Sequence, residues 1–234
     1  MLMNLNKQKN TLILVFFYSI SLLIGLSIYQ DFGIHIEEKF HRLNGLYWLN
    51  YISEIFGFAE IHKITEIKIS QISDYSLSSV SKYNKYGIIL DLPVALIEVL
   101  FKMESVRNIY YLKHILSFSI FLLSSFFFFK ILFQRFDNFL LSFVGLILYL
   151  TTPRILGDSF LYKDILFLSF FMFSFYYLIN TVNNFKLKNI IFFSIFTALS
   201  INLRIFAILI PVFFIFIIII KNFYSKNFFN KFKK

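Results

Sequence analysis

Residues 11–29 read TLILVFFYSISLLIGLSIY and contain no charged side chain. A helix that crosses a bilayer needs about 20 mostly apolar residues, and this stretch has that length. Because Lys7 and Lys9 precede it, a secretory signal peptide is the alternative. The apolar run is long for a signal peptide, and Ile28-Tyr29-Gln30 would be a poor cleavage site, so the flanks favour an uncleaved span.

The composition of the whole chain agrees with a membrane protein. Of the 234 residues, 58% are hydrophobic and 15% are charged, whereas a soluble domain of this length exposes more polar surface. The absence of cysteine excludes disulfides and thiolate chemistry but identifies no compartment. The net charge of +10 would indicate nucleic-acid binding in a soluble chain, so the positions of the charges must decide.

Five more apolar stretches follow a long polar gap, at 111–133, 138–152, 165–180, 189–203 and 205–220. The last four are short for a bilayer, which predicts little tilt or local thinning of the membrane. Only Arg204 separates the last two stretches, which predicts either a tight hairpin of two helices or one long buried segment. We therefore predict an all-α polytopic protein, a single transmembrane domain over 1–234 with about six spans.

The orientation follows from the basic residues in the short loops. With a cytoplasmic N-terminus, the inner segments carry one acid, Asp137, and eleven bases: Lys7, Lys9, Lys130, Arg135, Lys186, Lys188, Lys221, Lys226, Lys231, Lys233 and Lys234. The other twelve acids and twelve bases then lie outside, so the inner face carries the whole net charge. We expect an N-in, C-in protein of the bacterial inner (plasma) membrane that does not bind nucleic acid.

The first extracytoplasmic loop, 30–108, is too polar to span the membrane and too long to be a simple connector. Its start, DFGIHIEEKFHRLNGLYWLNYI (31–52), has an apolar stripe at helical spacing: Ile36, Phe40, Leu43, Tyr47 and Tyr51. This pattern predicts an amphipathic juxtamembrane helix on the outer membrane surface, with Trp48 and the tyrosines at headgroup depth. Gly45 leaves room on this helix for a close neighbour.

The polar arc of the same helix has two interpretations. Glu37 and Glu38 would be solvated and paired one turn along the helix with His41 and Arg42, as in many weak surface pairs. Alternatively, one carboxylate takes a proton from a hydroxyl nucleophile at the membrane surface. A neighbouring cation would keep such a carboxylate ionised and ready to act as a base.

The rest of the loop divides into two parts. Residues 54–85 are polar and Ser-rich and are expected at the surface. Residues 86–101, YGIILDLPVALIEVLF, are apolar but are interrupted by Asp91, Pro93 and Glu98. They predict a re-entrant or interfacial helix with Asp91 near its start and Pro93 in its first turn. A seventh span here would disturb the charge pattern.

The second outer loop, 153–164, reads PRILGDSFLYKD and carries Arg154, Asp158, Lys163 and Asp164. Single charges beside spans are ordinarily interfacial anchors. Together these side chains offer cations for a phosphate and carboxylates for a metal or an acceptor. Arg204 adds a cation at the outer end of the fifth span, where a charge is costly unless it faces protein or a cavity. The pattern indicates an anionic headgroup at the outer leaflet.

The order of these features resembles the N-terminal half of the GT-C glycosyltransferases, in the branch of the protein O-mannosyltransferases and aminoarabinose transferases. The resemblance covers nearly the whole chain through short motifs. They are Glu37-Glu38 within HIEEKFHRLNG, Tyr86-Gly87 with LDLP, Pro153-Arg154, Ser159, Lys163-Asp164, and Arg204 after ALSIN. The family usually has Asp-Glu at the acidic pair, so which carboxylate would act as the base stays open.

The resemblance implies a glycosyltransferase that moves a sugar from a polyprenyl-phosphate donor to an acceptor at the outer face. Glu37 or Glu38 would activate the acceptor hydroxyl. The substrate-binding residues would be Arg42, Arg154, Asp158, Lys163, Asp164 and Arg204. The cations among them would stabilise the departing lipid phosphate. Asp158 or Asp164 would hold an acceptor or a divalent metal ion, and the sugar stays open.

Family members are usually longer and have more spans, so the chain corresponds to about one half of the family architecture. A partner chain would then supply the C-terminal half, or the chain would be an inactive fragment. A non-catalytic membrane subunit that keeps the lipid-phosphate site is the main alternative, with membrane lipids as further partners. A transporter is disfavoured, because no mid-membrane charges and no internal symmetry are evident in the sequence.

Overall fold

The computed structural model describes residues 2–35, 37–72 and 87–224, and all regular structure in these ranges is helical. The helices are α1 (Leu2–Ile28), α2 (Glu38–Ile55), α3 (Ala59–Gln71), α4 (Asp91–Leu100), α5 (Val106–Phe136), α6 (Phe139–Thr151), α7 (Pro153–Asp158), α8 (Asp164–Asn183), α9 (Leu187–Leu203) and α10 (Leu209–Tyr224). A 3-10 turn at Ile205–Ile208 precedes α10.

Within the described ranges, three helices are long and apolar enough to cross a membrane: Gln8–Ile28 within α1, Val106–Phe136 and Asp164–Asn183. Three shorter apolar helices, Phe139–Thr151, Leu187–Leu203 and Ile205–Lys221, coincide with the remaining predicted spans. Helix α8 has 20 residues and is longer than the sequence predicted. The chain therefore has the character of a membrane protein, and the number of its spans depends on the three shorter helices.

Helices α5 and α8 form the centre of the group of apolar helices. Helix α8 packs against both α5 and α9, and α6 packs on α5. Phenylalanine rings fill the contacts, and Phe127 of α5 meets Phe173 of α8 edge to face at 4.9 Å between centroids. Helix α1 approaches α5 through Gly25. A Cβ atom there would lie 2.1 Å from the ring of Phe118, so a larger residue would require this ring to move.

Helices α2, α3 and α4 form a separate group, called here the loop layer. Leu43, Leu46 and Tyr47 of α2 are buried against α3 and α4. At Gly45 a Cβ atom would lie 2.3 Å from the carbonyl oxygen of Asp91, which confirms the predicted close approach and shows that α4 is the neighbour.

Three sequence predictions for this layer need correction. Helix α2 begins at Glu38, so residues 31–35 and 37 precede it, while Ile36 lies outside the described residues. Three residues of the polar arc, Glu38, His41 and Arg42, are buried because α4 and α5 cover them, whereas Tyr51 of the apolar stripe is 49% exposed. Helix α3 was not predicted, because the 54–85 segment reads as polar overall.

Helix α4 confirms the predicted helix, with Asp91 as its first residue and Pro93 in its first turn. It has ten residues, about half of what a bilayer span requires, so the seventh span is excluded for this segment. Ala95 and Val99 pack it onto α2. The preceding residues 73–86, including the Tyr86 of the family motif, lie outside the described part of the chain.

Candidate functional site

The acidic pair at the start of α2 contacts the turn that precedes α8. Glu38 Oε1 accepts a hydrogen bond from the backbone N–H of Tyr162 at 3.2 Å. Glu37 Oε2 accepts one from Lys163 Nζ at 2.6 Å. Two adjacent carboxylates therefore hold two adjacent residues that are 124 and 126 positions away in sequence. This double contact joins the first loop to the second.

The two carboxylates have opposite environments. The Glu38 side chain is fully buried, and burial raises the pKa of its carboxyl group against the opposing hydrogen bond from Tyr162. The Glu37 side chain is 47% exposed, and the hydrogen bond from Lys163 lowers the pKa of its carboxyl group. Neighbouring acids whose pKa values are shifted apart are suited to different roles. Glu37 is the accessible, ionised member.

Lys163 reaches Glu37 from a strained backbone. Its φ angle is 98°, in a region that L-residues rarely adopt and that costs about 1–3 kcal/mol. The turn is held on both sides, because Glu38 binds the N–H of Tyr162 and the carbonyl oxygen of Lys163 accepts the N–H of Phe167 in α8. The fold thus stabilises a conformation that presents the Lys163 ammonium group to Glu37.

Helix α5 supplies two ionisable residues behind Glu38. Lys113 Nζ donates to the Glu38 carbonyl oxygen at 3.3 Å and lies 4.6 Å from the centroid of the Tyr162 ring. His114 Nδ1 is 3.1 Å from the Tyr29 carbonyl oxygen, so Nδ1 carries a hydrogen, since a carbonyl can only accept. His114 Nε2 faces Glu38 Oε2 at 3.8 Å. Both residues are buried, and they form the side of the site that faces α5.

A buried Asp–His pair lies one turn further along α2. Asp91 Oδ2 is 3.0 Å from His41 Nδ1 and 2.7 Å from Asn44 Nδ2. An ionised carboxylate only accepts, so the pairing places a hydrogen on His41 Nδ1. In the neutral ring, His41 Nε2 is then the accepting nitrogen.

Arg42 and Glu98 form the second buried pair of α2. The Arg42 guanidinium donates from Nε and Nη2 to the two Glu98 oxygens at 3.0 and 2.7 Å, and Lys68 Nζ lies 3.2 Å from the same carboxylate. Buried charges of this kind are stable only when fully paired. The Arg42–Glu98 pair therefore holds α2 against α4. The role of Arg42 in substrate binding stays a prediction.

These contacts correct the solvated interpretation of the polar arc. Glu38, His41 and Arg42 are buried, and each bonds to a residue at least 50 positions away instead of one helical turn along α2. Sequence reasoning also missed Lys113 and His114, which fall within the predicted span 111–133. Two adjacent ionisable residues near the start of this mainly apolar stretch were the available signal.

Five buried polar atoms in this region have no hydrogen-bond partner among the described residues: Glu38 Oε2, His41 Nε2, Asn44 Oδ1, His114 Nε2 and Tyr162 Oη. Burial and the nearby Asp91 carboxylate raise the pKa of Tyr162 well above its usual value, so its hydroxyl keeps its hydrogen. Buried polar atoms in folded proteins generally bind water or a ligand when the protein does not satisfy them. Their concentration marks this cluster as the candidate site.

The remaining predicted site residues form two pairs. Arg154 Nε donates to Asp158 Oδ2 at 2.9 Å within α7, and its side chain is 89% exposed. Arg204 pairs with Asp164, which joins the end of α9 to the start of α8. The Arg204–Asp164 pair thus joins the end of loop 153–164 to α9, and the substrate-binding roles of these four residues stay predictions. In the described ranges no group of three or more His, Asp or Glu residues could hold a metal ion.

No family model, no curated protein and no solved structure matches this chain. The assignment of function therefore rests on the residues and geometry described above.

Proposed function

We propose that the chain is a GT-C-like glycosyltransferase that moves a sugar from a polyprenyl-phosphate donor to an acceptor at the outer face of the bacterial inner membrane. The proposal includes six spans with both termini in the cytoplasm. Three long and three shorter apolar helices support that number. The distribution of Lys and Arg supports the orientation. The loop layer and the turn before α8 then both lie outside.

The observation that carries the proposal is the contact between Glu37 and Lys163. It places an accessible, ionised carboxylate beside an ammonium group at the junction of two loops. A general base must be charged and reachable, and the lowered pKa of Glu37 keeps its carboxylate ionised. Glu38 is buried and bonded to the backbone of Tyr162, so we assign it to positioning.

The transfer then proceeds as follows. The acceptor hydroxyl gives its proton to the Glu37 carboxylate while its oxygen forms a bond to the anomeric carbon of the sugar. The bond between that carbon and the phosphate oxygen of the carrier breaks, and the electron pair leaves with the polyprenyl phosphate. Lys163 is placed to stabilise the charge that develops on this phosphate. When the acceptor proton neutralises Glu37, Lys163 loses its ionic partner. This happens in the same step in which negative charge develops on the departing phosphate.

Arg204 and Arg154 are the further cations assigned to the lipid phosphate. Arg204 pairs with Asp164, the residue that follows Lys163, so it lies on the same turn as the site. Arg154 is highly exposed and would move toward a bound donor. Asp158 and Asp164, bonded to these arginines, would hold the acceptor or a divalent ion only after the arginines turn to the phosphate. Arg42 supports the site through Glu98.

The test uses the full chain reconstituted in vesicles and polyprenyl-phosphate donors carrying radiolabelled mannose, glucose, galactose or aminoarabinose. Donor binding and sugar transfer are measured for the wild type, for Glu37→Gln and for Glu66→Gln, a carboxylate on α3 that is 52% exposed. We expect Glu37→Gln to bind the donor normally and to lose transfer by about 10²–10⁴-fold. Glu66→Gln should behave as the wild type.

Other results would point to other classes of protein. If the wild type binds a donor but transfers nothing, the chain is a non-catalytic membrane subunit or needs a partner chain for its acceptor site. Addition of a candidate partner would restore transfer in the second case only. If no donor binds, the glycosyltransferase proposal fails.

A further inference from the structure

A polar cavity lies between α2, α3 and the segment that joins α4 to α5. Its volume is about 630 Å³, within the range of small-molecule sites. The polar wall consists of Arg42, Lys68, Gln71, Lys102 and Glu104, and the apolar wall comes from isoleucines of α3 and the residue after it and from Val106. Glu37, Glu38 and Lys163 do not line this cavity, so it is separate from the candidate site described above.

The cavity wall has three cations and one acid. Arg42 uses Nε and Nη2 for Glu98, which leaves the donors of Nη1. Lys68 Nζ bonds to the carbonyl oxygen of Met103 and to Glu98, and an ammonium group has three hydrogens. Both side chains are therefore held in place by partners in the protein while keeping hydrogen-bond donors for a ligand. Fixed donors lose little entropy when they bind an anion.

Lys102 is the third cation, and its backbone is in the left-handed region with a φ angle of 49°. It follows α4 and caps the helix, because its N–H donates to the Val99 carbonyl oxygen at 3.1 Å. Glycine is the usual residue at such a position, since a side chain makes this conformation less favourable. The chain has a lysine there instead, and its side chain lines the cavity.

We propose that this cavity binds the phosphate-bearing headgroup of an anionic membrane lipid. Val106 on its wall is the first residue of α5, which is long enough to cross the membrane, so the cavity lies where the loop layer meets the bilayer. Cations at that level attract anionic headgroups, and the aliphatic wall from α3 would contact the glycerol and the upper acyl chain. A soluble phosphate shares the headgroup chemistry but would leave the aliphatic wall without a partner.

The experiment titrates the purified full chain, in detergent, with phosphatidylglycerol or phosphatidylcholine and counts bound lipids by native mass spectrometry. Lys102→Gln is compared with Lys63→Gln, which removes the same charge from an exposed position of α3 outside the cavity. We expect the wild type to prefer phosphatidylglycerol. Lys102→Gln should weaken that binding about five- to tenfold, and Lys63→Gln should not change it.

Equal losses for the two variants would indicate diffuse attraction to the surface and would overturn the proposal, as would equal binding of the two lipids by the wild type. Lys102→Gly removes the cation and relieves the left-handed backbone, so it should bind phosphatidylglycerol as weakly as Lys102→Gln while unfolding at a higher temperature. Wild-type affinity in Lys102→Gly would contradict the site. If millimolar inorganic phosphate displaced phosphatidylglycerol, the ligand of this cavity would be a soluble phosphate compound, and the lipid proposal would be overturned.

Discussion

Lys163 Nζ lies 2.6 Å from Glu37 Oε2, and this hydrogen bond joins the two loops that flank the membrane helices. The neighbouring residues Tyr162 and Glu38 are bonded in parallel, through a backbone N–H and a buried carboxylate. One contact is accessible and the other is buried. The pair of contacts therefore separates the accessible carboxylate, which we propose as the base, from the buried one that holds the turn.

Lys163→Met should raise the pKa of Glu37, because the hydrogen bond from Lys163 is the largest cause of its lowering. In the transfer assay, the acidic limb of the pH–rate profile should move to higher pH, since more of Glu37 is protonated at a given pH. The profile of Arg154→Met serves as the control, because that exposed arginine is paired with Asp158 and not with Glu37. An unchanged acidic limb in Lys163→Met would contradict the assignment of Glu37 as the base.

Glu37→Gln and Glu38→Gln should change the pH dependence of stability in opposite directions. The pKa of Glu37 is lowered in the folded chain, so its carboxylate stabilises the fold above the ordinary Glu pKa and loses this contribution as pH falls. The pKa of Glu38 is raised, so ionisation of Glu38 destabilises the fold as pH rises through the ordinary Glu pKa. Thermal unfolding of both variants between acidic and neutral pH measures these slopes. Each slope is compared with that of the wild type. If the two variants changed the slope in the same direction, the difference in burial between Glu37 and Glu38 would be contradicted.

Arg42→Met should destabilise the loop layer by about 3–5 kcal/mol, because it leaves the buried Glu98 carboxylate with Lys68 as its remaining cation. Arg42→Met with Glu98→Met in the same chain should recover much of this loss, since no uncompensated charge is then buried. Denaturant unfolding of the two variants provides the comparison. A double variant no more stable than the single one would show that packing, and not the charge pair, dominates.

Gly45→Ala should lower the free energy of unfolding by about 3 kcal/mol, because the added methyl group would meet the backbone carbonyl of Asp91 at 2.3 Å. The backbone at this contact cannot move aside as a flexible side chain does. Gly33→Ala is the matched control, because a Cβ atom there has no neighbour within 4 Å. Similar melting temperatures for the two variants would mean that α2 and α4 are not packed this closely.

The proposed orientation predicts which positions react with a membrane-impermeant maleimide in intact cells. Ser70→Cys in α3 and Gly157→Cys in α7 should be labelled, and Lys188→Cys in the first turn of α9 should not. All three positions are exposed, and the chain has no cysteine of its own. Ser159 is unsuitable for this purpose because it is fully buried. Labelling of Lys188→Cys alone would invert the orientation and exclude transfer at the outer face.

The positions of the apolar helices, of α2 and of α4 were predictable from sequence. Each is encoded locally, by apolar runs, by residues at helical spacing, and by Asp91 and Pro93 at a helix start. Helix α3 was not predicted, because charged residues interrupt its apolar ones, and these pack against the distant residues of α2 and α4 in the folded chain. The choice between solvated and paired side chains on α2 also had no local signal.

The sequence by itself determined that this chain is a helical membrane protein and which charged residues were candidates for a site. Only the tertiary structure decided their partners: Glu37 with Lys163, His41 with Asp91, and Arg42 with Glu98. The physical reason is that helical periodicity acts over a few residues, whereas the pairing of a charge depends on which distant segments exclude water from it. Burial, and with it the different pKa shifts of two adjacent glutamates, is a property of the packed chain alone.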